Sequence, residues 1–459
     1  MSICAYKVKS HPPVRSLRPP AMSVSRLLPL AFALLASAVL RAELWTLDRA
    51  VATALERNPD IQSAQHRIEA AGAMIQQANS AWQPQLGVTG GYSVTNNALV
   101  ALIYTLYQRN FNFTANFNRP GWIDDLNVTG TVAYNLYSGG RATACRDAAR
   151  AGTRAAEQDF RAVQSQLAAE VVKAVLNLRK ARESVASLEA GVRVYEANVA
   201  NCRLRFEAGQ VLKADLLSLE VQTARTRELL SSARHGAALA ARTFIFILGL
   251  DSTDDPVEFV ENDPALARLG APDTADFTQR PELLSLKERL RAAEAMVEAA
   301  RGARRPTVNA YVSAQYDQGW QFARHANDLQ GGVLVDFNVF DGGRTAGQIR
   351  RAQAELAQVK DKLRKTTLSL GLEVEQARLA HADARERLAV TVSAVAQAEE
   401  SASLSRARFE KGVLLTAELI GSESRLIEMR MCRTLATADE RIALIELRRA
   451  LGLPLLAPP

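Results

Sequence analysis

Cysteine, histidine and aromatic residues are scarce in this chain of 459 residues. The four cysteines form no C-x-x-C pair and no spacing typical of a disulfide framework, and the five histidines lack metal-ligand spacing. Motifs of catalytic nucleophiles, metalloproteases and phosphate-binding glycine loops are also missing. We therefore expect no enzyme, no metal site and no cofactor. Hydrophobic residues make up 48% of the chain, which is enough for a large core and argues against disorder.

Acidic residues are missing from the start of the chain, where Glu43 is the first one. Six basic residues precede it, so the formal charge of +7 falls to +1 for the remainder, which argues against a nucleic-acid partner. The apolar run Leu27–Leu40 and the small residues near it predict a secretory signal peptide over residues 1–42. After it, no segment stays apolar for the roughly 18 residues of a membrane-spanning helix. Contact with a membrane would therefore need strands.

An internal repeat is the most informative feature of the sequence. The segment Gly139–Arg141 recurs as Gly342–Arg344, and Phe206–Gly209 recurs as Phe409–Gly412 with a change only at the third position, both at the same offset. Such agreement at a fixed offset predicts that one structural unit occurs twice. The predicted domains are a first repeat over 43–250, an equatorial linker over 251–279 and a second repeat over 280–459.

The spacing of proline and of apolar residues predicts long helices. Proline is absent between Pro120 and Pro256 and between Pro306 and Pro454, so uninterrupted helices are possible there. Apolar residues in the first of these stretches recur every three and four residues, the 3.5-residue period of a coiled coil. Besides a helix at the start of the first repeat, we predict helices over 141–206, 213–249, 280–304, 344–409 and 413–451.

Four segments alternate apolar and polar residues, which is typical of half-exposed strands. Because lipid-facing and lumen-facing residues alternate in outer-membrane barrels, this pattern also fits such a barrel. We expect the loop 96–125 to face outside, without assigning its apolar run 98–107, and a shorter loop to cover 318–329. The second and fourth strands should pass directly into the long helices. The predicted strands cover about 86–95, 126–137, 308–317 and 333–340.

Four strands leave two open sheet edges, which the hydrocarbon of a bilayer does not tolerate. Other subunits must therefore complete the barrel. Two chains would give about eight strands, a number at which side chains fill the interior, so an open conduit needs at least about three chains. The helices would then continue the barrel as a tube into the periplasm.

These features together resemble the TolC-like outer-membrane efflux protein family over essentially the whole mature chain. The matching elements are Leu47–Pro59, Pro84–Leu86, the two Gly-Gly-Arg junctions, two helix-turn-helix segments and the closing Leu-Gly-Leu. The helix-turn-helix segments, 203–215 and 406–418, are called the tips. The resemblance implies a mainly α protein with a transmembrane β part. In it, a homotrimer forms a 12-stranded outer-membrane β-barrel, with four strands per chain, that continues into a long α-helical barrel. Its implied partners are a second and third copy of itself, a periplasmic adaptor, an inner-membrane transporter and outer-membrane lipid.

The resemblance also assigns roles to residues at the two tips. Asp215 and Glu418 would line the periplasmic entrance, although both could instead stabilise a helix N-terminus, worth about 0.3–1 kcal/mol. The family carries a second acid three residues after Glu418, where this chain has Gly421, so a tight carboxylate ring is not implied. The strand–helix junctions would be Gly139, Gly140, Gly342 and Gly343. The residues implied to contact the adaptor are Arg203, Gly209, Leu212, Arg406, Gly412 and Leu415.

The sequence thus favours a passive channel in the outer membrane, with most of its mass in the periplasm. It would serve a tripartite efflux or type I secretion system, with drugs, metal ions and polypeptides all open as cargo. The alternative is a structural coiled-coil surface protein that is anchored by its strands and transports nothing.

Overall fold

The structure is a computed structural model that describes residues 44–114, 116, 118–251, 258, 259, 270, 272 and 276–455. The predicted signal peptide and most of the predicted linker lie outside the described residues. One compact unit comprises Trp45–Asp254 and Phe259–Pro459. A second unit comprises Met1–Leu44 and Asp255–Glu258, of which only Leu44 and Glu258 are described.

Among the described residues, two helices precede the sheet, α1 over Leu47–Arg57 and α2 over Pro59–Asn79, and a single 3-10 turn follows them. They are separate because Pro59 has no backbone N–H and Asn58 is extended. The Thr46 hydroxyl accepts from the backbone N–H of Arg49 at 3.2 Å, and the Asn58 side chain accepts from that of Asp60 at 2.8 Å. Both helix starts therefore have a side-chain cap of the usual kind.

Five further long helices in the described part of the chain make it mainly α. The α4 helix covers Arg141–Glu207 and α7 covers Arg344–Glu410, each with 67 residues, so each is about 100 Å long at about 1.5 Å per residue. The return helices are α5 over Lys213–Ile247 and α8 over Thr416–Ala450, and α6 covers Pro281–Gly302. The prediction that the last return helix begins at 413 is wrong, because Leu415 is extended and acts as the N-cap.

The apolar stripe of α4 packs against both return helices. Leu188 and Val192 of α4 form a buried cluster with Leu230 of α5, and Ile427 and Met431 of α8 pack against it. Contacts also join α4 to α1, α2 and α6, and α7 to α6 and α8. The two repeats therefore share one core, as expected for narrow 3.5-residue seams that each need partner helices.

One polar residue of each repeat binds the last residue of that repeat's return helix, and we call this region the waist. The Asn58 amide donates to the carbonyl of Ile247, the last residue of α5, at 2.8 Å. In the second repeat Arg280, whose side chain is buried, donates to the carbonyl of Ala450, the last residue of α8, at 3.2 Å. The same guanidinium forms an ion pair with Glu373 at 2.8 Å. These bonds satisfy carbonyls that a helix end leaves without an internal partner.

The strands form one antiparallel sheet in the order β1-β2-β3-β4. In this register Leu86 of β1 lies opposite Val132 of β2, which lies opposite Val312 of β3, and all three side chains are exposed. On the opposite face Asn127 donates to Asp317 at 2.7 Å. The sheet thus has an exposed apolar face and a polar face, as the alternation predicts. The strands are β1 over Gln85–Thr95, β2 over Ile123–Tyr137, β3 over Thr307–Gly319 and β4 over Arg324–Asp336.

The predicted position of the fourth strand, 333–340, is wrong. β4 begins at Arg324 and ends at Asp336, which pairs with Thr307, the first residue of β3. The residue before Thr307 is Pro306, which has no N–H to extend the ladder, so pairing stops there although the alternation continues. Six residues separate β4 from Gly343, so this strand does not pass directly into its helix. Most of the predicted loop 318–329 is strand as well, because backbone pairing does not require apolar side chains.

The apolar run left unassigned by the sequence is a helix, α3, over Ala98–Tyr107. The residue after it, Gln108, is fully buried and donates to the carbonyl of Asp124 at 2.7 Å and to the carboxylate of Asp125 at 3.1 Å. Its side chain thereby fixes the end of α3 against the start of β2. Within the described residues, no helix combines the length and the low charge that a membrane-spanning helix requires.

Candidate functional site

The two turns that join the long helices to their return helices have the same backbone conformation. Gly209 has φ of 70° and Gly412 has φ of 74°, a left-handed region that favours glycine. The N–H of Gln210 donates to the carbonyl of Arg205 at 2.8 Å, and that of Val413 donates to the carbonyl of Arg408 at 3.1 Å. At these tips the repeated sequence therefore has a repeated backbone conformation.

Each tip is held by an ion pair between its two helices, at equivalent positions of the repeat. Arg203 donates to Glu220 at 2.7 Å, and both side chains are partly exposed. Arg406 donates through two nitrogens to Glu423, whose side chain is only 1% exposed. The hydrogen bond with Glu423 raises the pKa of Arg406. Both predicted adaptor contacts thus already have a partner within the chain.

A third arginine, Arg205, joins the first tip to the second. Its guanidinium donates to the carbonyl of Phe409 at 2.6 Å and to that of Glu410 at 2.5 Å. It also lies over the ring of Phe409, 4.8 Å from the centroid. Cation and ring attract one another, and a positive charge is favourable at a helix C-terminus. Phe409 and Glu410 at the end of α7 therefore form a binding site for an arginine side chain, which we call an arginine receptor.

The two predicted entrance acids both lie in the first turn of a return helix but differ in surroundings. The Asp215 carboxylate accepts from the backbone N–H of Leu212 at 3.2 Å, so it does act on the start of α5. Glu418 is exposed in the first turn of α8. Burial, followed by the charge of Asp215, raises the pKa of the Cys202 thiol beside it.

Apolar side chains project from both tips. Leu212 is 72% exposed and Leu415 is 70% exposed, although each directly precedes a helix that packs inward. Val413, which the sequence analysis did not single out, is equally exposed. Large exposed apolar groups at one place of a fold indicate a surface for another protein.

At the other end of the long helices, all four predicted junction glycines have positive φ. A Cβ on Gly139 would lie 2.5 Å from the carbonyl oxygen of Gly302, so no other residue fits between β2 and the end of α6. Gly140 and Gly343 are the N-caps of α4 and α7.

Comparison with known proteins agrees with this architecture. The sequence model of the outer membrane efflux protein family matches residues 50–250 and 277–453. The chain is 23% identical to the outer membrane efflux protein BepC of Brucella suis over 431 residues, which is 89% of this chain and 85% of BepC.

Solved structures share the fold. CusC superposes with a TM-score of 0.77 at 18% identity, covering 89% of this chain and 92% of CusC. The CmeC outer membrane channel of Campylobacter jejuni superposes with a TM-score of 0.75 at 16% identity, covering 88% of this chain and 85% of CmeC. The family consists of channel proteins of the outer membrane with a large periplasmic helical part. The chain belongs to the outer membrane efflux protein family and is an outer-membrane channel component of an efflux or secretion system.

Proposed function

We propose that three copies of the chain form a passive conduit whose 12 strands close one barrel in the outer membrane. The observation that carries this proposal is a sheet with an exposed apolar face and two unpaired edge strands, β1 with 11 residues and β4 with 13. Unpaired backbone groups are costly in hydrocarbon, so β4 of one copy pairs with β1 of the next. Lipid then covers the face that carries Leu86, Val132 and Val312.

The helices extend this conduit into the periplasm. The joint between strand and helix is short in the first repeat, where only Ser138, Gly139 and Gly140 separate β2 from α4. The polar face of the sheet lines the passage, with Asn127 and Asp317 bonded across neighbouring strands. Solutes therefore meet polar groups on their way through the outer membrane.

In this proposal the tips form the periplasmic entrance, where Asp215 and Glu418 set the charge. The exposed Leu212 and Leu415 bind a periplasmic adaptor, which connects the conduit to an inner-membrane transporter. Arg203 and Arg406 act indirectly, because their ion pairs hold the two helices of each tip together. Gly209 and Gly412 give the turns the conformation that exposes the two leucines.

Conductance across planar bilayers tests the conduit. Purified trimers should carry an ion current. If a variant that lacks both tip ion pairs, Arg203–Glu220 and Arg406–Glu423, carries no current, the protein is not a channel. Charge reversal by Asp215→Lys with Glu418→Lys should shift ion selectivity away from cations while the trimer persists. The variant Asp215→Asn with Glu418→Gln is the control, because Asn still accepts from the Leu212 N–H. Unchanged current in both variants would mean that the acids only stabilise helix starts.

The adaptor surface has a separate test in cells. Leu212→Asp with Leu415→Asp should abolish efflux that depends on the adaptor and leave the bilayer current of the purified protein unchanged. A control with the same substitution at Leu404, exposed on α7 about two helical turns before Gly412, should retain efflux. Retained efflux in the Leu212 and Leu415 variant would refute this assignment.

A further inference from the structure

Every tip carries both an arginine donor and an arginine receptor, yet the chain joins only one such pair. Arg205 of the first tip binds the receptor of the second tip, which consists of the carbonyls of Phe409 and Glu410 and the Phe409 ring. The repeat offset places Arg408 where Arg205 stands in the first tip. The same offset places Phe206 and Glu207 where the receptor residues stand.

The second donor and the second receptor are both open. Arg408 is exposed, and its guanidinium has no hydrogen-bond or ion-pair partner among the described residues. The Phe206 ring is 38% exposed, whereas the Phe409 ring beneath Arg205 is 3% exposed. Glu207 ends α4 as Glu410 ends α7, and the turns after them share one conformation. The open receptor therefore has the backbone geometry of the occupied one.

A donor on one side and a matching receptor on the other define a head-to-tail contact, which closes into a ring when copies repeat it. We propose that Arg408 of each protomer binds the carbonyls of Phe206 and Glu207 of the neighbouring protomer, with its guanidinium over the Phe206 ring. This inference rests on the proposed trimer. The six tips of the trimer would then be joined by six equivalent arginine contacts, three within chains and three between them.

The geometry also distinguishes this contact from general packing between copies. Two nitrogens of one guanidinium reach two carbonyls at a helix end while its plane lies over a ring, a combination that a planar fork provides and the compact ammonium of lysine does not. The receptor carries two exposed carbonyl dipoles and a ring face, so its occupant is a cation with a planar fork. The Phe206 carbonyl already accepts from the N–H of Gly209 at 2.9 Å, and an apolar side chain of the neighbour would leave its second lone pair without a donor.

Chemical crosslinking tests which chains the contact joins. In a full-length chain whose native cysteines are replaced by alanine, Arg408→Cys with Glu207→Cys is treated with a short bifunctional thiol reagent. We expect covalent dimers and trimers on denaturing gels. The matched control, Arg205→Cys with Glu410→Cys, should crosslink within one chain and stay at monomer mass. Failure of that control would overturn the geometry from which the proposal starts.

The trimer itself is measured separately by sedimentation of the untreated protein in detergent. A trimer whose Arg408→Cys and Glu207→Cys pair yields only monomer bands would overturn the arginine contact and leave the conduit standing. A protein that sediments as a monomer would overturn the conduit together with the contact. The two failures are therefore distinguishable.

Hydrogen exchange gives a second test that needs no cysteine. In the Arg408→Ala trimer, amides of residues 203–212 should exchange about fivefold faster, the factor expected from losing a net hydrogen bond. In the Arg205→Ala trimer, residues 406–415 should be the faster segment. If Arg408→Ala accelerated only its own tip, 406–415, its role would be local and the proposed contact would be overturned.

Discussion

The two ion pairs of the tips are equivalent in sequence but differ in burial, which makes them a matched pair for mutation. Arg406 binds Glu423, whose side chain is 1% exposed, whereas Arg203 binds Glu220, whose side chain is 38% exposed. Removing either arginine deletes one positive charge, together with two hydrogen bonds in the case of Arg406 and one in the case of Arg203. The consequence depends on whether water can reach the carboxylate left behind.

The expected magnitudes follow from this difference. Breaking a fully buried ion pair costs about 3–5 kcal/mol, because an unpaired charge stays in a medium of low polarity. Arg406 is itself 40% exposed, so water partly screens the pair, and we expect Arg406→Ala to destabilise the second tip by about 2 kcal/mol. For Arg203→Ala we expect less than about 1 kcal/mol, as for other exposed pairs.

Native-state hydrogen exchange measures these values locally, since amides at the start of α5 and α8 report the opening of each tip. Arg406→Ala should accelerate exchange in α8, and adding Glu423→Gln should restore most of the protection because the buried charge is removed. The matching double variant of the first tip, Arg203→Ala with Glu220→Gln, should show little change. Equal effects of Arg406→Ala and Arg203→Ala, or no rescue by Glu423→Gln, would refute the reasoning.

Three further substitutions test contacts elsewhere in the chain. Gly319→Ala places a Cβ about 2.1 Å from the Gln108 amide oxygen and should displace that buried amide, lowering stability by about 1–3 kcal/mol in thermal unfolding. Tyr195→Phe removes the hydroxyl bonded to Ser424 at 2.7 Å and should destabilise the helix packing by about 1 kcal/mol in the same assay. Asn58→Ala removes both the cap of α2 and a donor to the end of α5, so amide exchange at both helix ends should accelerate at least about fivefold.

Each of these predictions has a control and an outcome that contradicts it. Gly331→Ala is the control for Gly319, because its Cβ would meet neighbours at an ordinary 3.5 Å. Equal melting temperatures for the two alanine variants would contradict the predicted clash. Ser424→Ala should match Tyr195→Phe, and additive effects of the two changes would mean that their hydroxyls do not act as one pair. For Asn58, exchange that accelerates at only one helix end would contradict the double role.

Periodicity and proline spacing were sufficient to predict the long helices and three of the four strands. These signals are local: the 3.5-residue seam marks the buried side of α4, and the absence of proline allows it to continue to Glu207. The fourth strand could not be found this way, because its end is fixed by its neighbour. Alternation runs on to Phe340, but the ladder ends at the pair of Thr307 with Asp336, because the preceding Pro306 has no N–H to donate. Pairing across a sheet is not encoded in the strand's own pattern.

At the tips the sequence identified the residues but not their contacts. Arg203 and Arg406 stand out as a repeated position, yet nothing in the sequence indicates that a glutamate 17 residues later binds each of them. The bridging role of Arg205 was missed although a signal for it exists. An arginine directly precedes the phenylalanine of both tips, and that repeated position marks a shared contact.

The repeat preserves backbone geometry more strictly than side chains. At the waist the same task, holding the last carbonyl of a return helix, falls to Asn58 in one repeat and to Arg280 in the other. Both residues donate to a carbonyl of their own chain, so either donor can serve. At the tips, where the proposed contacts need both a partner in the same chain and one in a neighbouring copy, the arginine, the phenylalanine and the glycine turn are kept in both repeats. The proposed ring of similar contacts would account for the identity at the tips, as the shared strand–helix geometry accounts for it at the Gly-Gly-Arg junctions.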